Sequence, residues 1–459
     1  MKNPIIVPEL RELILANKNA EIANFCRTGH PAIVAELISA LSSKEVWQIL
    51  KNAERPLRAE IFSHLDVDLQ EDLVTTLNRE ELVHLLADMA PDDRADLFKR
   101  MTDEKQEAVL PALAHAERED IRRLSAYEEG TAGSVMTSDY AMLPAQITAA
   151  QAIDRLRREA PNKETIYYAY VVDENRKLIG SVSLKDLILS RPNATIDEIM
   201  QKEVLFTRIH DDQEDAVRKI QKYDLIALPV VNEKDSLVGI ITYDDAIDVI
   251  NQENTEDMEK LMAIGGSHEH AVYSKTSSWG HFKNRAGWVV VLAMLGLISG
   301  LIVQKFEGLL LQFTILATFM PMLADTGGNT GSQSATLVVR ALALKEISNK
   351  DVLAVLLKEF KVAILLGLLL GMITFGRVLL TGGEILLPEG CTIAIIGSAI
   401  ALALSLQVVT ATLIGAGLPM VASFLKLDPA VVASPALTTI VDITGLLIYF
   451  YTIKLIVGI

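Results

Sequence analysis

Asp442 is the one ionisable side chain between Asp428 and Lys454, in an otherwise apolar stretch near the carboxyl terminus. A carboxylate at lipid depth is costly unless it is paired or wetted. No Lys or Arg stands at comparable depth in the other apolar stretches, so its partner is a proton, a cation or water. A neutral, protonated Asp in a helix contact is the alternative. Upstream, Pro321 to Gln333 reads P-M-L-A-D-T-G-G-N-T-G-S-Q between two apolar runs, one from Gly308 and one over Ala335–Val339. Irregular backbone survives in a membrane only where protein buries it or water lines it. A Gly-rich break also frees carbonyl oxygens to face a cation. The spacing predicts an interrupted span; the alternative is a continuous helix whose glycines permit close packing.

Carboxylates crowd two further places. Asp92, Asp93 and Asp96 open a helix after Pro91, and Asp92 and Asp96, at i and i+4, can face one ligand. They can equally be complements of the helix dipole. Farther on, Asp245 and Asp248 are spaced i, i+3, and Glu253, Glu256 and Asp257 are spaced i, i+3, i+4 on one helical face. Like charges so stacked destabilise a helix. Divalent cations offset that repulsion through oxygen ligands alone, whereas a solvated face needs no ion. His268-Glu269-His270 reads as a polar linker, and His30, His64, His84 and His115 lack metal-ligand spacing. No G-x-x-x-x-G-K-[ST] phosphate loop occurs, which argues against an ATP-driven pump. No catalytic constellation appears, so the chain does not read as an enzyme.

These groups are distributed over a chain of 459 residues that divides in two. The first 283 residues read as soluble protein and carry 33 Lys and Arg against 50 Asp and Glu. Such an acidic part repels nucleic acid and anionic lipid and admits cations. Cys26 and Cys391 form no framework, which suits a reducing cytosol. Met1 to Leu15, broken by Pro4, Pro8, Glu9, Arg11 and Glu12, does not read as a signal peptide.

Arg11 to Leu124 has helical periodicity with a 36-residue step. Arg58-Ala59-Glu60-Ile61-Phe62 recurs as Arg94-Ala95-Asp96-Leu97-Phe98, and Leu41, Glu45, Ile49 and Leu50 return as Leu77, Glu81, Leu85 and Leu86. Stacked helix pairs of this kind form a short superhelix. From Met136 to Ile250 strands alternate with helices in two copies offset by 59 residues, each ending Gly-ended strand, Ser/Thr-x-x-Asp, helix. This pattern resembles a tandem pair of CBS domains. The resemblance implies candidate ribose ligands at Ser183 with Asp186 and at Thr242 with Asp245; the alternative is that these residues only cap helices.

Five apolar segments close the chain: about 287–303, 309–339, 362–380, 391–413 and 430–458. Lys283, Arg285, Arg340, Lys345, Lys350, Lys358, Lys361 and Lys426 lie at one set of ends. The other ends hold Lys305 with Glu307, and Arg377 with Glu384 and Glu389. The positive-inside rule then places the soluble part in the cytoplasm and the carboxyl terminus outside.

With these residues in order, the chain resembles the MgtE family of magnesium channels and transporters. The match is carried by Arg123 to Gly133, Thr255-Glu256-Asp257, Gly327 to Gln333, Asp428-Pro429-Ala430 and Thr438 to Gly445. The resemblance implies a multidomain protein of the cell membrane. Its parts would be an all-α superhelical domain (1–130), an α/β CBS pair (131–197 and 198–250), an acidic connecting helix and linker (244–283) and a five-helix transmembrane domain (284–459). It implies a homodimer whose pore, lined by the second and fifth spans, takes hydrated Mg2+ past Asp442, Asn329, Gly328 and Thr438. It further implies closure by cytosolic Mg2+ bound at Glu60, Asp92, Asp96, Asp245, Asp248, Glu253, Glu256, Asp257 and Asp428, with ATP as a candidate ligand of the CBS domains. Ser332 carries no assigned role. A transporter of Co2+ or Mn2+ and a non-conducting nucleotide sensor are the competing readings; the first would want a His- or Cys-lined path.

Overall fold

The computed structural model describes residues 7–265, 276–381, 391–432 and 435–458. The His268-Glu269-His270 linker, Gly266, Glu384 and Glu389 lie outside the described residues. The chain forms two compact units, Met1–Asn251 and Gln252–Ile459.

The first unit begins with ten α-helices, α1 (Val7–Leu15) to α10 (His115–Leu124), among them α5 (Arg55–Ser63) and α8 (Pro91–Arg100). Their shared core runs from Leu10 to Ile121 and includes Phe62, Leu86 and Phe98. The 36-residue step is structural. Arg58 Nε donates to Leu50 O at 2.8 Å and its Nη2 to Ala53 O at 3.0 Å; Arg94 does the same to Leu86 O at 2.6 Å and Met89 O at 2.7 Å. Gln70 Nε2 reaches Phe62 O and Leu65 O, and Gln106 Nε2 reaches Phe98 O and Met101 O. Each repeat thus satisfies the end carbonyls of one helix with a side chain of the next.

Two three-stranded sheets follow, β1 (Tyr140–Pro144), β2 (Thr165–Val172) and β3 (Leu178–Ser183), then β4 (Thr207–Arg208), β5 (Ala227–Val231) and β6 (Leu237–Thr242). In both, the first pair is parallel and the second antiparallel. The helices are α11 (Ala149–Glu159), α12 (Leu184–Leu189), α13 (Ile196–Ile199), α14 (Gln213–Tyr223) and α15 (Tyr243–Leu261). The copies meet through a core of Tyr140, Tyr170, Ala227, Leu237 and Ile240, with Tyr140 Oη donating to Leu237 O at 3.0 Å. Ala95 of α8 and Leu124 of α10 share a core with Ile241, Ala246 and Val249 of the second copy. That packing sets the acidic start of α8 against the acidic start of α15.

In the second unit α16 (Ser278–Lys305) is followed by the short α17 (Glu307–Gln312), then α18 (Ile315–Ala343), α19 (Val352–Thr381), α20 (Ile393–Phe424) and α21 (Pro435–Val457). Among the described residues four helices, 278–305, 349–380, 393–424 and 435–457, are long and apolar enough to cross a membrane. α18, 29 residues long, has the length, and polar residues dilute its apolar character. The third apolar segment extends ten residues before its expected start, so Lys358, Glu359 and Lys361 belong to α19. α18, α20 and α21 pack around Leu316, Phe319, Ile400, Leu404, Tyr449 and Phe450.

α18 corrects one expectation. It runs unbroken through Gly327, Gly328 and Gly331, with Pro321 inside it. The glycines serve close approach: a Cβ on Gly415 of α20 would stand 2.2 Å from Gly331 O. Small residues let helix backbones touch where lipid offers no hydrophobic drive to hold them together.

Candidate functional site

Helical spacing sorts the residues of α18 into two faces. Gly327 and Gly331 are buried against α20 and α21, Thr330 and Ser334 are buried with Ser334 Oγ donating to Glu359 Oε2 of α19 at 2.9 Å, while Asp325, Asn329 and Gln333, at i, i+4 and i+8, are exposed. Asn329 Nδ2 donates to Asp325 Oδ1 at 3.1 Å. Gly328 lies beside Thr438 of α21, whose Cγ2 would be 3.4 Å from a Cβ there. Asp442 follows one turn after Thr438, half-buried, with no hydrogen-bond or ion-pair partner among the described residues. The structure therefore sets Gly328, at the middle of α18, against Thr438 in the first turn of α21, with Asn329 next to Gly328 in the chain and Asp442 one turn along from Thr438. It adds Asp325, whose charge the sequence shows in the same stretch but whose exposed register only the helix reveals. The donors are carboxylate, amide and hydroxyl oxygens, which suit a hard cation keeping its water.

In the first unit, Asp92 and Asp245 face each other. Burial raises the Asp92 carboxyl well above its usual range, and Asp245 and Asp93 push it further. Asp245 rises to about 7, first through burial and then through Asp244 and Glu164, against a hydrogen bond from Thr242. Glu164, whose side chain keeps contact with solvent, also rises to about 7, by partial desolvation of its carboxyl and by Asp92, Asp244 and Asp93. Asp248 is raised by burial, Asp244 and Asp93, with His64 opposing. One buried oxygen of Asp92 has no hydrogen-bond partner. Asp96, half-exposed, instead pairs with Lys99 at 3.4 Å, and Glu60 is exposed on α5. Among the described residues no three His, Cys, Asp or Glu side chains converge as a closed metal cage. Mg2+ does not need one, since it binds through one or two carboxylates and keeps several waters. Asp92 and Asp245, with an oxygen left unsatisfied, fit that demand.

In the second unit, the connecting helix has a cation of its own. Lys260 Nζ lies 2.7 Å from Glu256 and 2.9 Å from Asp428. All three are about one-third exposed or less, so the bridge is worth on the order of 1 kcal/mol. Glu253 and Asp257 each have an interaction of their own.

The four residues carried over as ribose ligands all cap helices. Ser183 Oγ donates to Asp186 Oδ2 at 2.6 Å and accepts from Asp186 N at 3.0 Å; Thr242 Oγ1 donates to Asp245. Between the CBS copies a cavity of about 110 Å³ is lined by Tyr168, Tyr170, Ala227 and Pro229. It is smaller than a nucleotide pocket of roughly 300 Å³ or more.

Fold and site together define a multi-span transporter of divalent cations that carries a helical domain and a CBS pair in the same chain. Residues 320–452 match the divalent cation transporter model of the MgtE family, residues 29–130 match the MgtE intracellular N domain, and 132–192 and 196–252 match the CBS domain. The magnesium transporter MgtE of Thermus thermophilus is 37% identical over 429 residues, covering 93% of each chain. That of Bacillus subtilis is 34% identical over 426 residues, 90% of this chain and 92% of the relative. The soluble part of a magnesium transporter is 30% identical, with a TM-score of 0.52 over 54% of this chain and 97% of that one. The cytosolic domain of the Mg2+ channel MgtE, solved in complex with ATP, is 34% identical, with a TM-score of 0.50 over 52% of this chain and 98% of that one. The chain belongs to the MgtE family, a family of transporters and not of enzymes.

Proposed function

We propose that the protein conducts Mg2+ across the cell membrane down its electrochemical gradient, along a path lined by α18 and α21 of two copies. The observation that carries this reading is the exposed stripe Asp325, Asn329 and Gln333 on α18, with Asp442 two turns into the neighbouring α21 and without a partner among the described residues. Lipid does not tolerate such a face, so water or a second copy covers it. A two-fold interface would bring both Asp442 carboxylates to one axis. Asn329, Gly328 and Thr438 would then contact the ion's waters while Asp442 supplies charge. Cys and His are missing from this group, which disfavours the softer Co2+. The basic ends of the spans, with the cytosolic origin of the solved relative, support a cytoplasmic soluble part and an outer carboxyl terminus. Purified protein in vesicles holding a Mg2+-sensitive dye is expected to admit Mg2+ under an inward gradient without nucleotide. No flux under that gradient overturns the reading.

Regulation by the same ion fits the acidic clusters. Asp92 and Asp245, with Asp248 and through waters Asp96 and Glu60, would share Mg2+ where the helical domain meets the second CBS copy. Glu253, Glu256, Asp257 and Asp428 would share it around α15. Cytosolic Mg2+ would thereby close the path, a coupling of two sites for one ligand. Nucleotide, if taken, belongs at Ser183 and Asp186: Thr242 and Asp245 stand beside Asp244, Glu164 and Asp92, whose charge would repel phosphates.

Lys260 occupies part of the position that a dication would fill between Glu256 and Asp428. In Lys260→Met, hydrogen exchange of amides 252–261 without Mg2+ should quicken about threefold or more, while the Mg2+ concentration that half-slows it should fall about threefold. Unchanged exchange in both conditions would show that the lysine bridge carries no load.

A further inference from the structure

Gln407 stands at the middle of α20, 1% exposed, and neither Nε2 nor Oε1 has a hydrogen-bond partner among the described residues. A glutamine amide has two donors and two acceptor lone pairs, and buried polar groups are normally satisfied. This one is wedged between the two helices of the proposed path. A Cβ on Gly327 of α18 would lie 2.2 Å from Nε2, and a Cβ on Gly445 of α21 would lie 2.3 Å from it. Two bare glycines, one on each path helix, are what admits the amide. Both face it with backbone whose hydrogen bonds are already used within continuous helices. An apolar side chain of the same length would fill this slot at lower cost, so packing alone does not account for a glutamine.

α18 is weak at this level. Gly327 and Gly328 are adjacent, and Pro321, six residues earlier, has no N–H to give the preceding turn. Helices bend at such places. A bend at Gly327–Gly328 would release a carbonyl and an N–H beside Gln407, and it would re-aim Gly328 and Asn329, the residues next in line.

We propose that Gln407 is a positioning residue for transport: its amide receives the backbone groups that α18 frees when it opens at Gly327–Gly328, and so stabilises the conducting shape of the helix. The inference rests on the reading of α18 and α21 as the path.

The test uses the full chain with Gln407→Met, which keeps length and removes the amide, and Gln407→Asn, which keeps an amide one carbon shorter. Gln407→Met should lower the maximal Mg2+ flux into vesicles about tenfold and leave the half-saturating concentration within about twofold, since the ion's ligands are untouched. It should also slow hydrogen exchange of amides 324–331 in detergent about tenfold at unchanged or higher thermal stability. Gln407→Asn should recover part of the flux. The proposal is overturned if Gln407→Met keeps wild-type flux and exchange, or if flux and thermal stability fall together in both variants, as for a plain packing residue. Asp442→Asn run in parallel separates the two failures. If Asp442→Asn conducts normally, the path itself is misplaced; if it does not while Gln407→Met does, only the role of Gln407 falls.

Discussion

Asp442→Asn is expected to reduce Mg2+ flux about 100-fold or more while the protein stays folded. The substitution is isosteric and removes only charge. At an effective dielectric of about 20 and a separation of about 5 Å, a carboxylate and a dication interact by roughly 7 kcal/mol before any desolvation is subtracted. An ion that keeps its waters recovers a part of that as net stabilisation, and about 3 kcal/mol of it suffices for the predicted loss. Neighbouring Thr438 and Asn329 are neutral, so neither can replace the missing charge. Asp325, exposed on α18 and hydrogen-bonded to Asn329 at 3.1 Å, is the remaining acid at this level of the path helices. Its neutralisation to Asn should lower flux by less than Asp442→Asn does, because the charge is already shared with an amide donor. Flux measured in vesicles, with thermal stability as the control, decides the matter. Wild-type flux in Asp442→Asn would refute the path.

Much of this arrangement was legible from residue order alone. The 36-residue step appears in the structure as equivalent hydrogen bonds from Arg58 and Arg94, and the 59-residue step as two sheets of the same topology. Gln70 and Gln106 stand at the same 36-residue step, a signal present in the sequence, and make equivalent bonds. The interruption expected in α18 failed for an instructive reason: glycine and polar residues in one stretch suggest unwinding, but on a helix they separate into a packed face and an exposed one. Gly327 and Gly331 answer to Gln407 and Gly415, which lie 80 or more residues away, and no local pattern announces that. Lys260 answers to Glu256 and Asp428, so the acids of α15 do not face one another alone. Its place four residues after Glu256 was a visible i, i+4 pair. Glu164 had no such signal. It belongs to the approach to β2 and reaches Asp92 and Asp244 only through the packing of α8 and α15 on the second CBS copy.

That packing leads to the second large expectation, which concerns pH and Mg2+ together. Asp92, Asp245 and Glu164 have folded-state pKa values above those of free carboxylates, about 7 for Asp245 and Glu164. A raised acid binds more protons folded than unfolded, so stability falls as pH rises from about 4 to about 7 and is level above. Glu164 keeps contact with solvent and is screened by water, and Asp92 and Asp245 do not ionise independently, so the loss over the whole cluster above pH 5.5 should be about 2 kcal/mol. For a unit of some 250 residues that corresponds to a fall in melting temperature of roughly 4–8 °C between pH 5.5 and pH 8 without Mg2+. A dication binds the ionised carboxylates and opposes the repulsion, so millimolar Mg2+ should abolish the fall and have little effect at pH 5.5. The double variant Asp92→Asn, Asp245→Asn should show a pH profile no more than half as steep, since Glu164 and Asp248 remain raised, and lose at least half of the stabilisation by Mg2+. Calorimetry of the full chain in detergent reads both. A Mg2+-free profile that rises toward pH 8, or a double variant stabilised by Mg2+ as fully as the wild type, would place the regulatory ion elsewhere.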